Sequence, residues 1–388
     1  MLPFTHSPSR KAAKSQRRNS SCCSVASSLH RSITHSPHLS IAHCSKESLD
    51  FKTSVCIFAS NKFNLHYPLN ILTIDLEDWF HILDHEGTAT ENDWERYPSR
   101  IHQGMEILLG ILAETQTPAT FFVVGWMARR YPDIIRQLDV LGYEIACQSD
   151  LHRLVYRMDK DAFRQDTLKA IGHIEDRTGK KVTAYRAPGF SITEATPWAF
   201  EILAEAGITH DSSVFPAHRA HGGFPSFPSH TPVIVNYFRK DMDQSILKRS
   251  GSINNQQPTI NNYNGITIKE FPITTTNLLG NDIVFGGGGY FRLFPYPLIK
   301  HWTQQKQGYL MAYIHPRDVD AGQPVLPGLS PMRRFKSYYG IKGAEQKLRR
   351  WLTDFRFTDL RTFDKAFDWE KAEVVEVSER SEGVIGRT

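Results

Sequence analysis

The chain has 388 residues, of which 40% are hydrophobic and 22% charged. That balance suits a globular protein with a large core and excludes a disordered polymer or a bundle of membrane helices. The formal net charge of +5 is local, because residues 1–69 carry nine Lys/Arg against Glu47 and Asp50, leaving 37 basic and 39 acidic residues for the remainder.

A near-neutral body lacks the clustered basic face of a nucleic-acid binder, and no apolar run reaches the roughly 18 residues that a membrane span needs. Residues 1–66 are rich in Ser, His and basic residues but lack the apolar stretch of a secretory signal. They are expected to be a disordered leader or translation from a misassigned start. A cytoplasmic location is therefore expected, or a periplasmic one if the start is misassigned. Cys22, Cys23, Cys44 and Cys56 all lie near the N-terminus and only Cys147 beyond it, so the body needs no disulfide framework.

From Asn70 onward, short β-branched and aromatic runs alternate with stretches of helical period. The runs predict strands at Ile71–Ile74, Ala119–Val124, Tyr143–Cys147, Val182–Tyr185, Ile208–His210 and Tyr309–Ile314. Helices are predicted over Ser99–Glu114, with Ser99 as N-cap, then Pro132–Leu141, Asp159–Thr178, Thr193–Ala206 and Glu345–Phe355. Gly142, Gly179 and Gly207 stand where helices should stop. Residues 241–265 are polar and Asn/Gln-rich, a surface loop by composition. The Gly286–Gly289 run reads as a tight turn, because no P-loop or dinucleotide fingerprint follows it. The tail from Lys371 is expected to fray. Alternation of this kind implies an α/β fold with mostly parallel strands.

Several of these strands run straight into polar groups. Ile71–Ile74 leads to Asp75, Glu77 and Asp78; Tyr143–Cys147 to Gln148, Asp150 and His152; Val182–Tyr185 to Arg186; Ile208–His210 to Asp211; and Tyr309–Ile314 to His315. In a parallel α/β fold the C-terminal strand ends share one rim, so these groups should converge on one pocket. Carboxylates, imidazoles and a guanidinium without a phosphate loop point to metal-assisted hydrolysis.

Seven segments in order, namely Thr73–Trp79, Pro118–Trp126, Gly142–His152, Tyr185–Ile192, Asp211–Pro216, Gly287–Arg292 and Tyr313–Pro316, resemble the polysaccharide deacetylases with a NodB-homology domain, specifically the branch found in exopolysaccharide gene clusters. The resemblance covers residues 70–365 and implies a distorted, seven-stranded (β/α) barrel that removes acetyl groups from N-acetylated sugars with one divalent ion, usually zinc. Residues 67–235 would form the barrel core, 236–265 the polar loop, 266–368 the part completing the barrel, and 369–388 a charged tail.

By the same resemblance Asp75 is the general base, Arg186 its orienting partner, His315 the general acid and Asp211 a partner for His315. Glu77 or Asp78, with His152, would hold the metal, while Trp79, Pro188, Phe190, Tyr290 and Arg292 could line a sugar cleft. The family pattern has two His four residues apart, and Gln148 stands in place of the first. An amide oxygen is a weak zinc ligand. Either Asp150 substitutes as a carboxylate ligand, a weaker or harder ion is used, or the chain is a catalytically impaired, carbohydrate-binding variant. An amidohydrolase acting on a small non-sugar amide is the remaining alternative.

Overall fold

The computed structural model describes residues 70–219, 221–238, 266–306 and 308–378. The expected leader and the polar loop over 241–265 lie outside these residues. The strands are β1 (Asn70–Leu76), β2 (Thr120–Val123), β3 (Glu144–Cys147), β4 (Ala184–Tyr185), β5 (His210–Asp211), β6 (Val233–Phe238), β7 (Ile266–Glu270), β8 (Thr276–Leu278), β9 (Asn281–Ile283), β10 (Leu310–Ile314), β11 (Phe357–Thr358) and β12 (Glu373–Ser378). Ten of them form one sheet in the order β10-β1-β2-β3-β4-β5-β7-β6-β12, with β11 also on β1, and β8 pairs with β9 separately. Every pairing in the large sheet is parallel except β6 with β7.

All six predicted strands are present, and the α/β expectation holds. The order is an open path with no closing ladder among the described residues, and β6, β7, β11 and β12 carry it beyond the seven strands expected. Strand β12 is a correction at the C-terminus. Instead of fraying from Lys371, residues 373–378 lie beside β6 and bury Val375 and Val377 on alternate positions.

Helices cover the sheet where the 3.6-residue period places apolar faces. Ile101–Thr115 buries Ile101, Met105, Leu108, Ile111 and Leu112, and Lys160–Thr178 starts at Asp159, whose carboxylate accepts from the Ala162 N–H at 2.8 Å, and stops at left-handed Gly179. Pro132–Val140, Trp198–Glu205 and Ile341–Asp354 follow at the predicted places with slightly shifted ends. Among the described residues no helix is long and apolar enough to cross a membrane.

Strand alternation divides the core into two faces. Leu72, Ile74, Leu76, Phe121, Val123, Cys147 and Tyr185 pack into the large helix-facing cluster. Ile71, Phe122, Ala146, Ala184, Met311 and Tyr313 form a second cluster on the opposite face. Two residues further along the same period-two series come Gln148 after Ala146, Arg186 after Ala184 and His315 after Tyr313, while Asp75 lies two steps of two beyond Ile71. The second face therefore carries the polar rim.

The Gly286–Gly289 run, read as a turn, leads directly into a short helix, Gly288–Leu293. Gly287 forms a bridge to Tyr313, and a Cβ there would overlap the Tyr313 ring. Gly287→Ala should cost about 1–3 kcal/mol of stability through this overpacking, read as a lower urea midpoint.

Candidate metal centre and catalytic groups

β1 ends in a turn, with the Glu77 N–H bonded to the Asp75 carbonyl at 3.0 Å, which separates three successive acids. Asp78 turns toward the helix Ile101–Thr115. Its carboxylate accepts from the Trp79 N–H at 2.8 Å, from the Arg100 N–H at 3.2 Å and from the Ser99 hydroxyl. Ser99 is thereby engaged by Asp78, and Arg100 occupies the N-cap position expected for Ser99. Asp78 is thus engaged at the helix terminus, which leaves Glu77 at the rim.

Glu77 Oε1 is 2.9 Å from His152 Nε2 and 2.9 Å from Gln148 Nε2. His315 Nε2 lies 3.9 Å from that oxygen and 3.9 Å from Asp75 Oδ2. Asp75, Glu77 and His315 each offer a ligand atom within 4.8 Å of the others, the arrangement expected of a cation site. Burial raises the Glu77 pKa, but His152 and His315 outweigh it and hold the carboxyl at about 2.

Gln148 donates from Nε2 to Glu77, while its Oε1 is buried without a hydrogen-bond partner. Asp75, Glu77 and His315 offer two carboxylates and an imidazole, with His152 against Glu77, a donor set suited to a divalent ion.

Asp150 does not join this group. It is paired with Arg129 and, at 2.7 Å, with Lys169, and its backbone N–H donates to Asp166 at 2.8 Å. The carboxylate expected as a substitute for the missing imidazole is paired with two cations on the helical side.

Arg186 is 1% exposed and donates from Nη1 to Asp75 Oδ1 at 2.6 Å and to the Thr73 hydroxyl at 2.7 Å. Its Nη2 reaches the Ser212 hydroxyl at 3.0 Å, and its guanidinium sits 4.1 Å over the Phe122 ring. These contacts leave it one orientation, with one Asp75 oxygen bound and the other turned to His315.

The partner of His315 differs from the expectation. Asp211 is in register with Tyr185, a residue of the helix-facing core, and so lies on the face opposite Arg186. It is also in register with Glu270 and accepts from the Ser213 hydroxyl at 2.6 Å. Burial and the Asp211 charge push the Glu270 carboxyl well above the carboxylate range, and burial raises Asp211 as well.

His315 Nδ1 instead meets Asp318 Oδ2 at 2.8 Å, and Asp318 Oδ1 meets Arg292 Nε at 2.9 Å. Burial lowers the His315 pKa, but Asp318 and Glu77 overcome that and raise it to about 9. Asp318 went unnoticed in the sequence, although His-Pro-Arg-Asp has capping-box spacing and the structure forms such a box.

Arg292 was expected to touch sugar. It is instead buried and also donates to the carbonyls of Lys336, Ser337 and Tyr339. Trp79, Pro188 and Phe190 are buried as well, with the Trp79 indole N–H on the Pro98 carbonyl at 2.9 Å. Tyr290 is 46% exposed.

A second unanticipated residue is His81, buried against Trp94 and Trp126 and stacked toward His152 at 6.1 Å between centroids. Its Nδ1 accepts the Asp78 N–H at 3.2 Å, which places the proton of the neutral ring on Nε2. Burial and the neighbouring His152 lower its pKa to about 3.

Residues 95–210 match the family model described as Polysaccharide deacetylase, and residues 248–365 match a second described as Domain of unknown function (DUF3473). The first takes in Gln148, His152 and Arg186, and the second His315 and Asp318. No curated protein matches the chain.

Among solved structures, a Mycobacterium smegmatis protein assigned as a polysaccharide deacetylase is 19% identical, with 76% of this chain and 88% of that one covered, at a TM-score of 0.49. A CE4 family pseudoenzyme from Bacillus anthracis is 11% identical over 77% of this chain and 66% of its own, at 0.39. A family 4 carbohydrate esterase from Streptomyces lividans, solved with acetate, is 20% identical over 37% and 62%, at 0.29. The two matched segments take in Gln148, His152, Arg186, His315 and Asp318, with Asp75 and Glu77 ahead of the first, and over residues 95–210 the chain belongs to the polysaccharide deacetylase family.

Proposed function

We propose that the chain hydrolyses the acetamide of an N-acetylated sugar in an exopolysaccharide or its precursor, with Glu77 and His152 holding a divalent ion, zinc by family resemblance, and Asp75 beside them. The observation that carries this reading is the convergence of Asp75, Glu77 and His315 on one small volume. A bound divalent ion would acidify a water and polarise the acetyl carbonyl.

The residues then divide the proton work. Asp75 Oδ2 takes the proton of the attacking water, while Arg186 keeps the other oxygen occupied and the carboxylate aligned. Water oxygen bonds to the carbonyl carbon, the C–N bond breaks, and the leaving amine takes the proton from His315 Nε2. At neutral pH that proton is in place, because the His315 pKa stands near 9. The products are acetate and a free amino sugar.

A second reading, an impaired sugar-binding relative, is favoured by one observation: the amide at Gln148 donates to Glu77 where the family pattern has an imidazole. Measuring bound metal and acetate release from N-acetylglucosamine oligomers, with the full chain and with Gln148→His, separates the two. Retained metal with turnover in the parent supports the deacetylase. Turnover confined to Gln148→His, with higher metal occupancy, supports the impaired form, and no acetate from either form rejects deacetylation of these substrates.

A further inference from the structure

Between Ala321 and Gly343 the chain holds four basic residues, Arg333, Arg334, Lys336 and Lys342, and no acidic one. The helix Pro331–Tyr338 within it buries none of its side chains. Met332 is 64% exposed, Phe335 47% and the following Tyr339 50%, at a spacing of three and four that puts them on one stripe. The Phe335 and Tyr339 rings touch, with centroids 4.7 Å apart. Beside this stripe, Gly289 packs closely against the Lys336 carbonyl, and its helix exposes Tyr290 and Leu293.

An eight-residue helix is not stable by propensity alone, and one that buries nothing must be held in another way. Here the Ser330 hydroxyl caps it, Arg333 donates to the carbonyls of Leu83 and Asp84, and Arg292 binds the carbonyls of Lys336, Ser337 and Tyr339. The backbone is pinned from beneath while the apolar stripe, Arg334 and Lys336 face out.

We propose that Pro331–Tyr338 and its exposed neighbours form a docking surface for an anionic phospholipid bilayer. Apolar side chains flanked by Lys and Arg, with no acid among them, have the composition of an interfacial helix: the rings enter the headgroup boundary and the cations meet anionic lipid. Arg292 joins this helix to Asp318 and, through it, to His315. On the deacetylase reading, a bilayer is where a lipid-linked acetylated sugar is presented.

The test is co-sedimentation of the full chain with vesicles of phosphatidylcholine alone or mixed with phosphatidylglycerol. The expected result is binding to the mixed vesicles at least tenfold tighter than to phosphatidylcholine, weakening as salt is raised. Met332→Ser with Phe335→Ser, and separately Arg334→Glu with Lys336→Glu, should each reduce it by about tenfold or more, with thermal melting and acetate release from soluble oligomers unchanged.

Absent binding overturns the proposal, as does binding that either double variant retains in full, the result expected if residues 1–69 carry the attraction. A parent dimer that the apolar double variant dissociates, without vesicle binding, also overturns it in favour of a second copy of the chain. Vesicle binding is read without turnover, so its failure leaves the deacetylase reading intact, and loss of turnover leaves the vesicle result standing.

Discussion

Asp75→Asn should lower kcat for acetate release by about 10²- to 10⁴-fold, the range that a positioned general base contributes. The amide keeps the size of the side chain but cannot take a proton from water. The substitution also removes the negative partner of Arg186, a guanidinium only 1% exposed. Leaving a buried charge without its counter-ion costs about 3–5 kcal/mol, moderated here by the bonds that Arg186 keeps to Thr73 and Ser212. A stopped acetate assay and a urea melt on the same preparation separate the two effects. Turnover within a few-fold of the parent would remove Asp75 from the role of base.

The second large effect separates two carboxylates. Asp318→Asn should lower kcat by about 10- to 100-fold, the usual cost of losing a group that orients a catalytic side chain, and should move the alkaline limb of the pH–rate profile to lower pH. The sign follows from His315. In the proposed mechanism its protonated form is the acid, its pKa of about 9 lies above the free value of 6.5, and Asp318 is the largest favourable contributor to that rise. Activity is therefore lost as pH climbs through the His315 pKa, and removing the Asp318 charge brings that loss earlier.

The stability linkage has the same direction. The contribution of the His315 pair is complete below about pH 6.5 and disappears as pH rises through about 9. Asp211→Asn should leave the alkaline limb in place, because that carboxylate faces Glu270. An identical shift of the limb in both variants would return Asp211 to the position first expected of it.

Much of the rim was legible because parallel strands impose a simple rule. Each strand that ends in a polar residue on the inward alternate position adds that residue to a common edge, and Asp75, Gln148, Arg186 and His315 all follow this series. The exception, Asp211, is one residue out of phase. It pairs with Tyr185 rather than with Arg186, and a one-residue offset sends a side chain to the other face.

Charge type alone did not show the partners of Asp78 and Asp150, since an acid near a metal-like motif serves equally well as the acceptor for a helix terminus or the partner of Arg129 and Lys169. The alternation Glu-Val-Val-Glu-Val-Ser at the C-terminus was a readable strand signal, masked by the charged residues beside it.

The sequence by itself determined the α/β class, the six strands that carry or flank the rim, and the residue types offered there, because periodicity and strand direction are local properties of the chain. Tertiary structure decided which of those residues meet. Glu77 was selected over Asp78 by the turn after β1, Asp318 over Asp211 by strand phase and a capping box, and Arg292 was diverted from substrate to Asp318 by the packing of two short helices. Contacts between residues distant in the chain depend on register and packing, which no local pattern records.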